Sequence, residues 1–207
     1  GALENNEDTG TLQYLASTAM EAGFSTRVLD MQALDLQNGR FFDPAGELVN
    51  RCFKLYPWEW MVDESPDGCL AEMEWLEPIW KLVMSNKAIL ATLYELFPDS
   101  PYVLPCYLSR PRSGLFCKKP VFSREGHNVS VVDIRDWEEY VRIAETEGDY
   151  NTGAYVYQEY VEPTAYSGRY PVIGSWIIGG EAAGIGIREN RMEVTDNLSE
   201  FVPHIIG

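Results

Sequence analysis

Positive charge is scarce in this chain: sixteen lysines and arginines stand against thirty-two acids in 207 residues, a formal net charge of −16. A surface this acidic repels phosphate backbones and anionic headgroups, so neither nucleic acid nor an anionic membrane is expected as a partner. Long hydrophobic runs are missing too. None approaches the ~20 apolar residues that span a bilayer, and the stretch Gly1 to Asp8 has none of the basic and apolar blocks of a secretory signal. The sequence reads as that of a cytoplasmic protein. Cysteine is sparse and scattered. Cys52, Cys69, Cys106 and Cys117 form no CxxC pair and have no histidine beside them, which argues against a zinc site or a disulfide framework and for core thiols. The two histidines, His127 and His204, lie far apart, so a Ser-His-Asp or metal assignment has no support in their spacing. Internal repeats and low-complexity tracts are absent.

What is present is ample core material, 45% hydrophobic and 13% aromatic. Leu12, Leu15, Ala16 and Ala19 keep a helical spacing that predicts a helix over about 11–22, with Asp8 and Thr9 as its cap and Gly23 at its left-handed end. Thr26 to Leu29 reads as a strand, a turn-rich passage follows, and a second apolar run covers Leu48 to Leu55. This suggests an α/β unit lacking its first strand, so that the sequence is expected to begin mid-domain. Helices are predicted over 78–84 and 86–97, the latter presenting Ile89, Leu90, Leu93, Leu96 and Phe97 and stopped by Pro98. Beyond Pro105 come β-rich runs at 115–119, 129–133, 155–161, 172–178 and 182–187, with one helical interval near 137–145. The expected fold class is α+β. It divides into a partial α/β unit (1–56), a helical connecting segment (57–108) and a β-rich lobe (109–207).

Two places depart from the acidic background. Residues 109–135 carry Arg110, Arg112, Lys118, Lys119, Arg124 and Arg135 against Glu125 and Asp133, a local +4. Within them, Lys118 to Asn128 sets lysines at a strand end before a turn holding Arg124, Gly126 and polar residues, where backbone N–H groups and a cation can face a phosphate. A polar hairpin with solvated charges is the competing reading. Pro171 to Gly180 and Ala183 to Arg188 read as a hairpin about Gly179-Gly180, with Gly184 and Gly186 flanking Ile185 and with Arg188 near the strand end. Neither glycine pattern matches the Rossmann or P-loop fingerprint.

Taken together, Ser85-Asn86-Lys87-Ala88-Ile89-Leu90, Lys118 to Asn128, Tyr157-Gln158-Glu159, Tyr170 to Trp176, Gly186-Ile187-Arg188 and Phe53 to Glu59 resemble the synthetase domain of the glutathionylspermidine synthase family, in order and approximate spacing, from about Glu7 to Ile206. The resemblance implies an ATP-grasp fold, with ATP between antiparallel sheets. It also implies a carboxylate–amine ligase that joins a peptide carboxylate such as glutathione to an amine such as spermidine through an acyl phosphate, with ATP and Mg²⁺ as cofactors.

Residue by residue, the resemblance implies that Lys87 and Lys119 contact ATP phosphates, that Arg124 stabilises transferring charge, and that Arg188 lies near the phosphates. Glu125, Gly126 and His127 would run along the nucleotide, Gln158 would sit at the hinge near adenine, and backbone groups as far as Val161 would read the base. Glu7 and Asp8 would face the amine. The family's Mg²⁺ ligands and a further arginine would precede Gly1, so no metal ligand is assigned within the sequence, Asp196 and Asn197 included. The alternative is a noncatalytic nucleotide-binding or protein-interaction fragment, for which the aromatic set Tyr56, Trp58, Trp60, Trp75 and Trp80 offers a surface if it is not core.

Overall fold

A computed structural model describes residues 6–136, 139–150, 153–194 and 199–205. The chain forms two compact units, Gly1–Val83 and Met84–Gly207, whereas the sequence pattern suggested breaks near 56 and 108.

In the first unit, helix α1 covers Asn6–Glu21. It begins earlier than its spacing suggested, so Asp8 and Thr9 lie in its first turn rather than at its cap, where an acid suits the positive end of the helix dipole. Its other end is as expected: Gly23 takes φ +91, its N–H bonds Met20 O at 2.9 Å and the Phe24 N–H bonds Ala19 O at 3.0 Å, a Schellman closure that only glycine makes without strain. The strand expected at 26–29 does not form. Arg27 instead pairs with the carboxylates of Asp43 and Glu47.

The turn-rich passage is a small antiparallel sheet of β1 (Asp35–Gln37), β2 (Arg40–Phe42) and β3 (Leu48–Val49). Asn38 (φ 51) and Gly39 (φ 76) both take the left-handed conformation that a two-residue hairpin requires. The apolar run at 48–55 therefore splits, giving a separate β4 (Arg51–Phe53). β4 pairs in parallel with β5 (Glu74–Leu76), and α2 (Trp58–Glu64) and α3 (Pro66–Cys69) lie in the crossover that a parallel pair requires. Phe41, Tyr56, Trp58, Met61 and Trp75 form the core of this unit. Trp75 meets Phe41 and Trp58 edge-on at 5.6 and 5.4 Å, a favourable arrangement of ring quadrupoles. Lys54 is buried here, its ammonium 3.8 Å from the Trp58 ring centroid and donating to Tyr56 O at 2.7 Å. Most of the aromatic set is thus core; Trp80, 62% exposed, is the exception.

A short helix, α4 (Leu82–Ser85), leads into the second unit, where α5 spans Ile89–Leu96. α5 covers the anticipated face only in part: Ile89, Leu90 and Leu93 are half-buried. Ala91, with Leu90 and Tyr94 beside it, packs on Cys106 and Val156, while Leu96 and Phe97 stay exposed.

Two antiparallel sheets complete this unit. The first has the order β6-β10-β7-β8-β9, from β6 (Cys106–Tyr107), β7 (Gly114–Pro120), β8 (Ser130–Ile134), β9 (Tyr140–Glu145) and β10 (Tyr155–Glu159). β9 replaces part of the helix expected over 137–145; Trp137 and Glu138 lie outside the described residues. Tyr140-Val141-Arg142-Ile143 is rich in strand formers, and the free edge of β8 supplies a ladder that overrides the weak helical pattern. The second sheet joins β11 (Tyr170–Ile178), β12 (Glu181–Asn190) and β13 (Glu200–Val202). Its first two strands are the hairpin expected about Gly179-Gly180, with an irregularity at Trp176/Ile177 opposite Gly184.

Candidate functional site

The site grows from the central pair of the five-stranded sheet. Val156 lies opposite Lys119 and Gln158 opposite Cys117, so strand alternation puts Lys119 and Gln158 on one face as diagonal neighbours. The Lys119 ammonium donates to Gln158 Oε1 at 2.7 Å. Cys106 is the partner of Gln158 on its other side, and two thiols therefore flank the amide. Burial pushes both thiols up in pKa, with the Lys119 charge pulling the other way.

Lys87 reaches the same region. Its backbone N–H bonds Val121 O at 2.8 Å, two residues beyond Lys119, while Asn86 Oδ1 accepts from the Ala88 N–H at 2.9 Å and fixes the start of the helical turn. The Lys87 ammonium donates to the carbonyl and, at 3.0 Å, to the hydroxyl of Ser123.

The loop between β7 and β8 turns at Arg124–His127, where the His127 N–H bonds Arg124 O at 2.9 Å. Glu125 (φ 53) and Gly126 (φ 71) occupy its centre, the two positive-φ positions of a type I′ turn. Its far end is tied down. Thr146 Oγ1 donates to Gly126 O and accepts from the Val129 N–H at 2.9 Å, Asn128 Oδ1 accepts from the Tyr150 N–H at 2.8 Å, and the His127 and Tyr150 rings lie 5.8 Å apart. Gly148 is required for this fit, because a Cβ there would stand 2.4 Å from that of His127. His127 Nε2 is 3.9 Å from Glu125 Oε2.

Lys119 thus lies one residue from the end of β7, the strand that runs into the loop of the 124–127 turn, Gln158 is tied to it, and Lys87 bonds Ser123 within that loop. Val161 is 59% exposed just past β10. Arg188 lies on the second sheet, opposite Val172 and Phe201, with its guanidinium 5.9 Å from the Phe201 ring. Asp8 is in α1, in the other unit, and the Glu7 side chain lies outside what the structure describes, as do Asp196 and Asn197. Sequence reasoning gave no role to Ser123, although it lies inside the Lys118 to Asn128 motif, and missed Thr146 and Tyr150, which no motif marks; only the folded loop shows their use. A cleft of about 550 Å³, lined by Asn86, Arg110, Val121, Tyr155 and Tyr157 among others, opens on a flank of the sheet. Tyr155 and Tyr157 alternate with Val156 and Gln158, so they project to the face opposite the Lys119–Gln158 pair.

No group of three or more His, Cys, Asp or Glu among the described residues is placed to hold a metal. None of the described helices is long and apolar enough to cross a membrane.

Residues 1–207 match the family described as glutathionylspermidine synthase preATP-grasp. The chain belongs to that family. It is 36% identical to a provisionally named acid–amine ligase of Haemophilus influenzae, over 96% of this chain and 53% of that protein. It is 35% identical to the trypanothione synthetase of Crithidia fasciculata over 61% of this chain, and 26% identical to the bifunctional glutathionylspermidine synthetase/amidase of Escherichia coli over 97% of it. The chain covers 19% and 36% of those two proteins, and so spans about half the length of its relatives or less. The relatives are named as ligases and synthetases, which places the chain in a ligase family. The matched description is of a preATP-grasp region, and the fold is a mixed helix and sheet structure with antiparallel sheets.

Proposed function

We propose that this chain forms the nucleotide-facing part of an ATP-dependent carboxylate–amine ligase with an ATP-grasp arrangement of its sheets. Its substrates would be a peptide carboxylate such as glutathione and an amine such as spermidine. The observation that carries the reading is that Lys119, with Gln158 beside it, lies on the strand that feeds the 124–127 turn, and that Lys87 bonds Ser123 just before that turn. Two ammonium groups and a backbone turn suit a polyphosphate, in a chain whose other surfaces repel it.

The chemistry that these residues support is activation of a carboxylate. Attack of its oxygen on the γ-phosphorus releases ADP and gives an acyl phosphate, and an amine then displaces phosphate to form the amide. Lys87 and Lys119 hold phosphate oxygens, Arg124 offsets charge that develops during transfer, and Arg188 adds a second cation from the other sheet. Gln158 and the backbone through Val161 face the base, Glu125, Gly126 and His127 run along the nucleotide, and Glu7 and Asp8 attract the cationic amine. A magnesium ion offsets phosphate charge in such reactions. Among the described residues no group of three or more His, Cys, Asp or Glu is placed to hold one.

Calorimetry tests the reading. Lys119→Ala should weaken ATP binding by about 1.5–3 kcal/mol, or ~10- to 150-fold, the scale of a charged hydrogen bond. Equal affinity in the two proteins would remove Lys119 from the site. Mass spectrometry for a new amide after incubation with glutathione, spermidine, ATP and Mg²⁺ extends the test to catalysis.

A further inference from the structure

The Lys87 ammonium is engaged by the loop it would have to serve. An ammonium carries three protons, and Ser123 accepts two of them, one on its carbonyl oxygen and one on Oγ at 3.0 Å. The backbone from which Lys87 reaches is fixed, because its own N–H bonds Val121 O and the N–H of the next residue bonds Asn86 Oδ1.

The loop is held at two separate places. Residues 126–129 are fixed through Thr146 and the Asn128–Tyr150 bond, with no involvement of Lys87. At the near end, Ser123 is held by Lys87.

We propose that Ser123 is a positioning residue that competes with nucleotide phosphate for Lys87, so that arrival of phosphate exchanges one acceptor for another and releases Ser123 while 126–129 stays anchored. The proposal rests on the nucleotide-binding reading above and adds to it a link between phosphate occupancy and the conformation of the loop at Ser123. The exchange is chemically even, since an oxygen acceptor is replaced by an oxygen acceptor. The anionic phosphate is the stronger one, and the competition lowers apparent affinity by the fraction of molecules in which the latch is closed.

Two measurements on the whole chain test this. In ligand-free protein, hydrogen exchange read by mass spectrometry should rise about fivefold or more over residues 122–125 in Lys87→Met and by a smaller factor in Ser123→Ala, with the β8 peptides unchanged. In calorimetry, Ser123→Ala should bind ATP about two- to tenfold more tightly, Ser123→Thr should retain the parent affinity because it keeps the hydroxyl, and Ser123→Ala should have no effect in a Lys87→Met background. A merely structural serine would weaken binding when removed, and would do so in both backgrounds. Neutral or weakened binding in Ser123→Ala, alongside normal sensitivity to Lys119→Ala, overturns the competition alone. Absence of ATP binding by the parent chain overturns the nucleotide reading and the competition together, and unchanged exchange in Lys87→Met removes the latch whatever ATP does.

Discussion

Tyr56 is buried, and its hydroxyl donates to the carboxylate of Glu64. Burial, and after it the bond to Glu64, push its pKa up to about 12. The native protein therefore keeps a proton that the unfolded chain releases near pH 10. The stabilisation is complete below pH 10 and is lost as pH rises toward 12. Tyr56→Phe should cost ~1 kcal/mol at pH 8, where Glu64 loses its donor, and should flatten the fall of the urea midpoint between pH 10 and 12. Parallel alkaline limbs in the two proteins would mean that Tyr56 titrates no differently on folding. Arg124 is a residue of another kind, whose proposed work appears only in the transition state. Arg124→Ala should lower kcat by about 10²- to 10³-fold and change ATP affinity little. A loss confined to affinity would make it a ground-state clamp.

Among the elements, β8 is the most enclosed strand, with Val132 and Ile134 at 1% and 2% exposure. Ile134→Ala should destabilise by about 2–5 kcal/mol in urea unfolding, the cost of lost transfer energy plus a cavity; a value under ~1 kcal/mol would show that Phe116 and Tyr157 close over the gap. The strands around it were legible because alternation and turn residues are local signals: β7, β8, β10 and the Gly179-Gly180 hairpin stand within a residue or two of where the sequence put them. Thr26 to Leu29 and β9 were misread for one shared reason. Whether an extended segment becomes a strand depends on a partner, and partners are set by the tertiary fold. The site was legible as residue types and not as geometry. Lys119 and Gln158 meet because β10 returns to lie beside β7, and Ser123 meets Lys87 because a backbone bond at Val121 draws the start of α5 to the loop; neither event has a local signature.

For the molecule as a whole, self-repulsion from a net charge of −16 opposes compaction. Raising NaCl from ~0.05 to ~0.3 M shortens the Debye length below the spacing of most surface charges, and the urea midpoint should rise. A fall would mean that local pairs such as Arg51–Glu74 and Arg40–Glu72 outweigh the net field. The exposed side chains of Ile173, Trp176, Ile177, Ile178 and Phe201 share the β11–β13 sheet, and screening should make the chain more prone to associate there, visible as growing light scattering over the same salt range. The strand order β6-β10-β7 has a consequence for synthesis on the ribosome. β6 has no partner in that sheet other than β10, which follows about fifty residues later. At ~5–20 residues per second, β6 and the inner edge of β7 wait for roughly 3–10 s with open ladder edges. During that interval the nascent chain offers its hydrogen-bonding edges to whatever is nearby, so the yield of native protein should respond to codon choice between Cys106 and Tyr155 more than to codon choice elsewhere.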